Sequence, residues 1–284
     1  MPVAHVNGID INYVESGQGE ALVLVHNLIS SLHGYDLNMA AFAKHYRTIA
    51  YDSRGHGESS KPASTSDYTF DAMAEDLYQL LKSLNVQSCY LLGQAAIGIG
   101  QTFTFFLHHP EMVKGLIAVS FGALATSVDP ERGRATADMP RGSGGLENLK
   151  RIAQERGMMA ALEERKKTLT LWTPEILDNP EIMRRFEVMY QQAAVPAFVA
   201  LPERITDERR KEIAAQLQKH PVPVFQVAGA DDVNPTEGLA GLRAISPRYH
   251  AVILPNCGHY VAIENPGDFN AAVLNFLAGV QAYG

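Results

Sequence analysis

The segment with the clearest chemical meaning is residues 89–98 (CYLLGQAAIG), whose pattern predicts a buried strand, a sharp turn and the start of a helix. A turn of this kind, with the spacing G-x-S-x-G, can expose a nucleophilic side chain at its tip. Covalent catalysis there requires a hydroxyl, a thiol or a carboxylate. The tip residue is Ala95, two positions after Gly93, so the turn lacks a nucleophile. An alternative alignment puts Ala96 at the tip with Gly98 two positions later, but it loses the spacing from Gly93.

Two later loops carry residues that could transfer protons at such a turn. Residues 254–259 (LPNCGH) end in His259, and an imidazole can take a proton from a nucleophile and return it to a leaving group. Residues 229–235 (GADDVNP) carry two neighbouring carboxylates, Asp231 and Asp232. Either carboxylate could hold the imidazole in the required tautomer and stabilise its charged form.

The hydrophobic pattern predicts the elements that would position these loops. An Asn-Gly pair between two short apolar-rich segments, 3–6 and 9–14, predicts an N-terminal β-hairpin. Helical patterns at 71–84, 96–110 and 268–279 alternate with apolar runs, which predicts a mainly parallel sheet covered on both faces. Open sheets of this class bind ligands beyond the carboxyl ends of their strands. The further predicted strands cover residues 21–25, 48–51, 89–92, 115–120, 222–228 and 251–254.

Three further motifs complete a family resemblance. Residues 21–31 run from an apolar strand into HNLISS, residues 51–59 read YDSRGHGES, and residues 264–266 read ENP. Together with the tip at Ala95 and the two later loops, they resemble the α/β-hydrolase family, in particular its cap-bearing esterases, enol-lactonases and C–C-bond hydrolases. Nucleophile position, acid and histidine follow one another in that family's chain order.

The resemblance implies an α/β-hydrolase fold and a serine-type hydrolase acting on a small organic ester, lactone or activated C–C bond. It implies that Asp232 is the acid, because the family's acid lies three residues after a glycine, here Gly229. Asp231 stays an alternative, because the proline at 235 comes one residue early. His259 would be the base, and the backbone N–H groups of Leu28 and Ala96 would be the oxyanion donors. Such donors commonly stabilise the transition state by several kcal/mol.

Two departures from the family pattern lie beside the predicted oxyanion hole. Asn27 stands where the family has the glycine that follows the oxyanion-loop histidine. Ile97 stands where a small residue usually lets the helix approach the strand. The shape of the hole is therefore harder to predict than the fold.

Residues 124–219 form a separate region in the sequence, because they contain helical spacings but no convincing strand. We expect them to be a helical cap inserted into an α/β core made of residues 1–123 and 220–284. Trp172 in this region is a candidate for contact with substrate, although it could equally belong to the cap's own core. His33, near the oxyanion loop, is a second substrate-binding candidate, with a structural role as its alternative.

Composition narrows the class of protein further. A net charge of −7 over 284 residues argues against a nucleic-acid partner, because phosphate binding needs concentrated lysine and arginine. No apolar run approaches the roughly 20 residues that cross a bilayer, and no N-terminal targeting segment is evident. Two cysteines suggest a reducing compartment, so we expect a cytoplasmic enzyme. We expect a small-molecule substrate and neither cofactor nor metal, because phosphate-loop and metal-ligand spacings are missing; a homo-oligomer is left open.

Ala95 has three explanations. It can be an inactivating replacement of a serine, or a natural alanine in a protein that binds a ligand without hydrolysing it. It can also replace the aspartate nucleophile of dehalogenases and epoxide hydrolases, but Ala96 and Ile29 do not fit the bulky residue and the proline usual there. The retained acid and histidine loops favour the first explanation, because a protein that had long lost catalysis would have little reason to keep them.

Overall fold

An eight-stranded sheet forms the centre of the structure, a computed structural model that describes residues 1–120, 145–167, 172–201, 205–232 and 235–283. In chain order, its strands are β1 Val3–Val6, β2 Ile9–Ser16, β3 Ala21–Val25, β4 Arg47–Tyr51, β5 Cys89–Gln94, β6 Val113–Val119, β7 Val224–Gly229 and β8 Tyr249–Leu254. In the sheet they lie in the order β1-β2-β4-β3-β5-β6-β7-β8. The pairs β1/β2 and β2/β4 are antiparallel and all the others are parallel, which confirms the predicted mainly parallel sheet.

Helices cover both faces of the sheet. Successive residues of β3 point to opposite faces, so that Leu22 and Leu24 lie in one buried cluster and Val23 and Val25 in the other. Every residue of β3 is buried, as expected for a strand inside a parallel sheet. Within the described residues, the α-helices are α1 Met39–Phe42, α2 Phe70–Ser83, α3 Ala95–His108, α4 Gly145–Arg156, α5 Met158–Arg165, α6 Pro174–Leu177, α7 Pro180–Gln192, α8 Val195–Ala200, α9 Asp207–Lys219, α10 Pro235–Ile245, α11 Val261–Glu264 and α12 Pro266–Tyr283.

The N-terminal hairpin forms as predicted. Asn7 and Gly8 connect β1 to β2 with φ angles of 49° and 74°. Two successive residues in the left-handed region are the signature of a type I′ turn, whose twist matches the strands that it joins. Other boundaries shift by a few residues. Strand β6 begins at Val113, two residues before the predicted start, and its Lys114, which interrupts the apolar run, forms a surface ion pair with Glu20.

The described residues between β6 and β7 are helical where the sequence spacing predicted helices. Helices α4 to α8 and helix α9 pack against different parts of the structure. Helices α4 to α8 contribute most of a third buried cluster, which also contains Ile29 from the loop after β3 and Tyr260 from the loop after β8. Helix α9 instead packs against α3, and its Ile213 and Leu217 belong to the main core. Residues 124–144 of the predicted cap lie outside the described residues, and the division into cap and core stays a proposal.

The contact between β5 and α3 is unusually close. A Cβ atom placed on Gly93 would lie 2.3 Å from the carbonyl oxygen of Gly98, and one placed on Gly98 would lie 2.6 Å from the carbonyl oxygen of Val25. The small residue of this contact is therefore Gly98, one position after Ile97, whose side chain is buried in the main core. At this point strand β5, helix α3 and the end of β3 approach one another through backbone atoms, with no side chain between them.

Replacing Gly93 with alanine should destabilise the fold, because the new methyl group would overlap backbone that cannot move aside. We expect Gly93→Ala to lower the free energy of unfolding by about 1–3 kcal/mol, the usual cost of overpacking. Denaturant titration measures it. Gly279→Ala is the matched control, because this glycine lies inside α12 with open space around it and should gain roughly 0.5–1 kcal/mol. Equal unfolding midpoints for Gly93→Ala and the parent protein would contradict the close contact.

Candidate active site

The turn between β5 and α3 has the backbone of a strained elbow. Strand β5 ends at Gln94, helix α3 begins at Ala95, and Ala95 has a φ angle of 50°. Few residues other than glycine adopt this left-handed region, and such strain is concentrated at functional sites. The positive φ falls on Ala95 and not on Ala96, as expected if Ala95 is the tip of the turn.

The structure brings His259 and Asp232 together. The Nδ1 atom of His259 lies 3.1 Å from both carboxylate oxygens of Asp232, and both side chains are buried. Because an ionised carboxylate only accepts, Nδ1 carries the hydrogen and the Nε2 atom of neutral His259 is left able to accept a proton. This is the tautomer that a general base needs.

Asp231, the alternative acid, points elsewhere. Its side chain is exposed, and its backbone N–H donates to the carbonyl oxygen of Cys257 over 3.0 Å. It lines a cavity of about 350 Å³. The other residues around this cavity are Thr173, Ile176, Asn179, Ile182, Asn256 and Glu264. Asp232 is therefore the carboxylate that contacts His259, and Asp231 is not.

Two residues that sequence reasoning missed hold the backbone of the histidine loop. The Ser120 hydroxyl donates to the carbonyl oxygen of His259 over 2.6 Å. The Glu264 carboxylate accepts from the N–H groups on either side of His259, those of Gly258 at 2.8 Å and Tyr260 at 2.7 Å. Glu264 belongs to the ENP motif, which was its only signal in the sequence, and Ser120 had none.

The sheet register relates Ala95 to His259. Gln94, the last residue of β5, pairs with Val119, the last residue of β6. Ala95 and Ser120 therefore leave neighbouring strands at the same level, and Ser120 holds the His259 carbonyl. The elbow and the histidine loop thus emerge side by side at the carboxyl edge of the sheet.

His26 fixes the peptide group that follows it in the oxyanion loop. Its Nε2 accepts from the backbone N–H of Ser53 over 3.0 Å, so its hydrogen is on Nδ1, which donates to the carbonyl oxygen of Asn27 over 2.7 Å. Complete burial lowers the pKa of His26 to about 4, because the imidazolium would lose its hydration. His26 is therefore a neutral structural residue at pH 7.

The two predicted oxyanion donors differ in the structure. Ala96 is the second residue of α3, where a backbone N–H has no acceptor within the helix. The N–H of Leu28, in contrast, donates to the side-chain oxygen Oδ1 of Asn27 over 2.6 Å. Leu28 as an oxyanion donor therefore stays a prediction, and in the structure an acceptor from its own loop occupies this N–H.

The two predicted substrate-binding residues have protein partners. The Nδ1 atom of His33 lies 3.1 Å from a carboxylate oxygen of Asp36 near the surface, and this hydrogen bond raises the pKa of His33. Trp172 is buried in the helical cluster, with its ring centre 5.0 Å from that of Phe186. Phe186 contacts Tyr260, whose ring lies edge-on to that of His259. Trp172 is thus connected to His259 through two aromatic rings, and His33 faces a surface carboxylate.

Metal-ligating side chains are not clustered in the part of the chain that the structure describes. No group of three or more histidine, cysteine, aspartate or glutamate side chains among these residues could hold a metal ion. No helix in the same residues is long and apolar enough to cross a membrane.

Comparison with known proteins adds independent information. A family model described as "alpha/beta hydrolase fold" matches residues 20–266. The chain is 25% identical to a 2-hydroxy-6-oxo-6-(2'-aminophenyl)hexa-2,4-dienoic acid hydrolase from Metapseudomonas resinovorans, over 96% of this chain and 89% of that protein. It is 25% identical to 3-oxoadipate enol-lactonase 2 from Acinetobacter baylyi, over 96% of this chain and 97% of that protein.

A solved structure agrees with the architecture. The crystal structure of the enol-lactonase from Burkholderia xenovorans LB400 matches with a TM-score of 0.78 and 22% identity. The match covers 98% of this chain and 100% of that chain. At this identity the likeness bears on the fold alone.

The buried imidazoles near the oxyanion loop predict how stability depends on pH. Desolvation lowers the pKa of His56 to about 3, as it lowers that of His26 to about 4. The unfolded chain binds protons on these residues below about pH 6.5, whereas the folded chain does not, so stability falls as the pH falls from about 6.5 toward 4. Each of these two histidines should lower the free energy of unfolding by about 2 kcal/mol when the pH falls from 7 to 5.

Replacing His56 with glutamine should remove the part of this pH-dependent loss of stability that is due to His56. The measurement is the free energy of unfolding of parent and variant at pH 7 and pH 5. His5→Gln is the matched control, because it makes the same substitution at an exposed position on β1. If His56→Gln and the parent protein lost the same free energy on acidification, the neutral buried state of His56 would be wrong.

Proposed function

The chain belongs to the α/β-hydrolase fold family, and on this premise we propose that its site is that of a serine-type hydrolase in which alanine occupies the nucleophile position. The observation that supports this most strongly is the buried contact between Asp232 and the Nδ1 atom of His259. In a Ser-Asp-His mechanism such a pair activates a serine, and the position of that serine would be Ala95, at the strained tip of the elbow. A small organic ester, lactone or activated C–C bond is the proposed substrate class, and both curated relatives named above are hydrolases of carbonyl compounds.

A serine at position 95 would complete the reaction as follows. His259 Nε2 would take the hydroxyl proton while the oxygen attacks the substrate carbonyl, and Asp232 would stabilise the imidazolium. The N–H of Ala96 would receive the negative charge on the carbonyl oxygen. His259 would then return the proton to the leaving group, and water would release the acyl group by the reverse sequence. With alanine the site can bind the carbonyl compound but has no atom to attack it.

The helices between β6 and β7 support a proposed lid over this site. Helices α4 to α8 pack on Ile29, in the loop that follows β3, and on Tyr260, in the loop that follows β8. These loops flank the predicted oxyanion hole and His259, so the helices lie on the side from which a substrate would enter. We propose that this region contacts the part of the substrate remote from the scissile bond.

A second candidate function is binding without hydrolysis by a protein whose alanine is natural. One observation favours it: the N–H of Leu28 is occupied by the side chain of Asn27. Replacement of a serine at position 95 alone would leave the residues of the oxyanion loop unchanged. Asn27 is thus a second, separate departure at the same site. The two candidates differ in what a serine at position 95 would do.

The first test is Ala95→Ser. We expect this variant to hydrolyse short-chain activated esters or small lactones, because loss of a triad nucleophile typically costs on the order of a millionfold in turnover. Release of acid or chromogenic alcohol is followed for both forms. Ala96→Ser is the matched control, since it adds the same hydroxyl one residue beyond the tip, and it should stay inactive. An Ala95→Ser protein without turnover on any acyl type would favour the binding function.

The second test distinguishes the two carboxylates in the Ala95→Ser background. We expect Asp232→Asn to lower turnover by about ten-thousandfold, because an amide cannot hold His259 in the tautomer that accepts a proton at Nε2. Asp231→Asn is the matched control and should change turnover little, since Asp231 is exposed and contacts the loop through its backbone. The opposite ranking would show that Asp231 is the acid.

A further inference from the structure

Asn27 gives the oxyanion loop a feature that a glycine there could not have. Its side-chain oxygen accepts the N–H of Leu28 at 2.6 Å, and the side chain is almost completely buried. The N–H of Leu28 is the second oxyanion donor that the family resemblance implies, beside that of Ala96. A neutral carboxamide oxygen from the protein therefore occupies the position that a carbonyl oxygen of the ligand would take.

The peptide group that carries this N–H cannot easily turn away from Asn27. His26 donates to the carbonyl oxygen of Asn27, which belongs to the same planar peptide as the N–H of Leu28. On the other side, Ile29 has a φ angle of 53°, and the N–H of Leu32 is bound to Asp52 over 2.8 Å. A β-branched residue in this region persists only when its surroundings hold it there.

We propose that Asn27 is a gating residue, which must rotate its carboxamide away from Leu28 before a ligand carbonyl can enter the oxyanion hole. This inference rests on the proposed function and names the residue that controls access to that site. Because the backbone is held by His26 and Asp52, the rotation involves the side chain of Asn27 and leaves the loop in place.

The gate would select ligands by the strength of their oxygen as an acceptor. A neutral ester carbonyl gains little over the carboxamide that it displaces, whereas an oxygen that becomes negatively charged forms a stronger, charge-assisted hydrogen bond. The net free energy of one ordinary hydrogen bond changes an equilibrium constant by roughly twofold to tenfold. Asn27 should therefore weaken neutral ligands by about this factor and oppose an oxyanion less.

The hydrogen bond can be tested without any catalysis. In the protein as it stands, amide hydrogen exchange measured by NMR should show a protected N–H at Leu28. Asn27→Ala should make that exchange at least tenfold faster, and Asn27→Asp, which keeps an acceptor oxygen, should not. The N–H of Leu32 in the same loop is the internal control and should keep its protection in every variant. Fast exchange at Leu28 in the parent protein would overturn the proposal.

The gate itself is tested in the Ala95→Ser background. Asn27→Ala should raise kcat/KM for a neutral ester such as phenyl acetate by roughly threefold to tenfold, with most of the change in KM, and Asn27→Asp should lower it. A fall in kcat/KM with Asn27→Ala would show instead that the Asn27 amide serves the substrate, and would overturn the gate. If none of the Ala95→Ser variants is active, the proposed function fails. Amide hydrogen exchange at Leu28 then decides by itself whether Asn27 occupies the Leu28 N–H.

Discussion

The backbone contact among Gly93, Gly98 and Val25 is the constraint on which the site depends. No side chain separates strand β5 from helix α3 at this point, so the chain must reverse within one residue, and the strain falls on Ala95. The same contact brings the start of α3 against Val25, the residue that directly precedes the oxyanion loop. One close approach therefore sets the position of the nucleophile turn relative to both of its expected oxyanion donors.

The other half of the site is organised by hydrogen bonds instead of close packing. Ser120 and Glu264 bind the backbone of the histidine loop, and Asp232 binds the imidazole itself. Burial raises the pKa of the Glu264 carboxyl, but that group still accepts from two backbone N–H groups and from the Thr173 hydroxyl. The residues that we propose for proton transfer are thus held in place in a chain that carries alanine at the tip of the elbow.

Much of this arrangement follows from the sequence, because it depends on backbone geometry that local residue types determine. Apolar runs and glycine spacing predict the strands, the hairpin and the tip at Ala95. The choice between Asp231 and Asp232 could only be suggested, since neighbouring carboxylates differ in direction and not in spacing. The hydrogen bond from Leu28 to Asn27 could not be predicted, because it depends on a side-chain rotamer. Ser120 meets His259 only through the folding of segments 139 residues apart.

The central claim is that His259 and Asp232 are arranged to activate an oxygen at position 95. The most direct measurement is labelling of the Ala95→Ser variant with a fluorophosphonate, a reagent that reacts with serines activated by a neighbouring base. Mass spectrometry should find a single stoichiometric adduct at position 95, and His259→Ala in the same background should abolish it. No adduct, or an equal one without His259, would contradict the account.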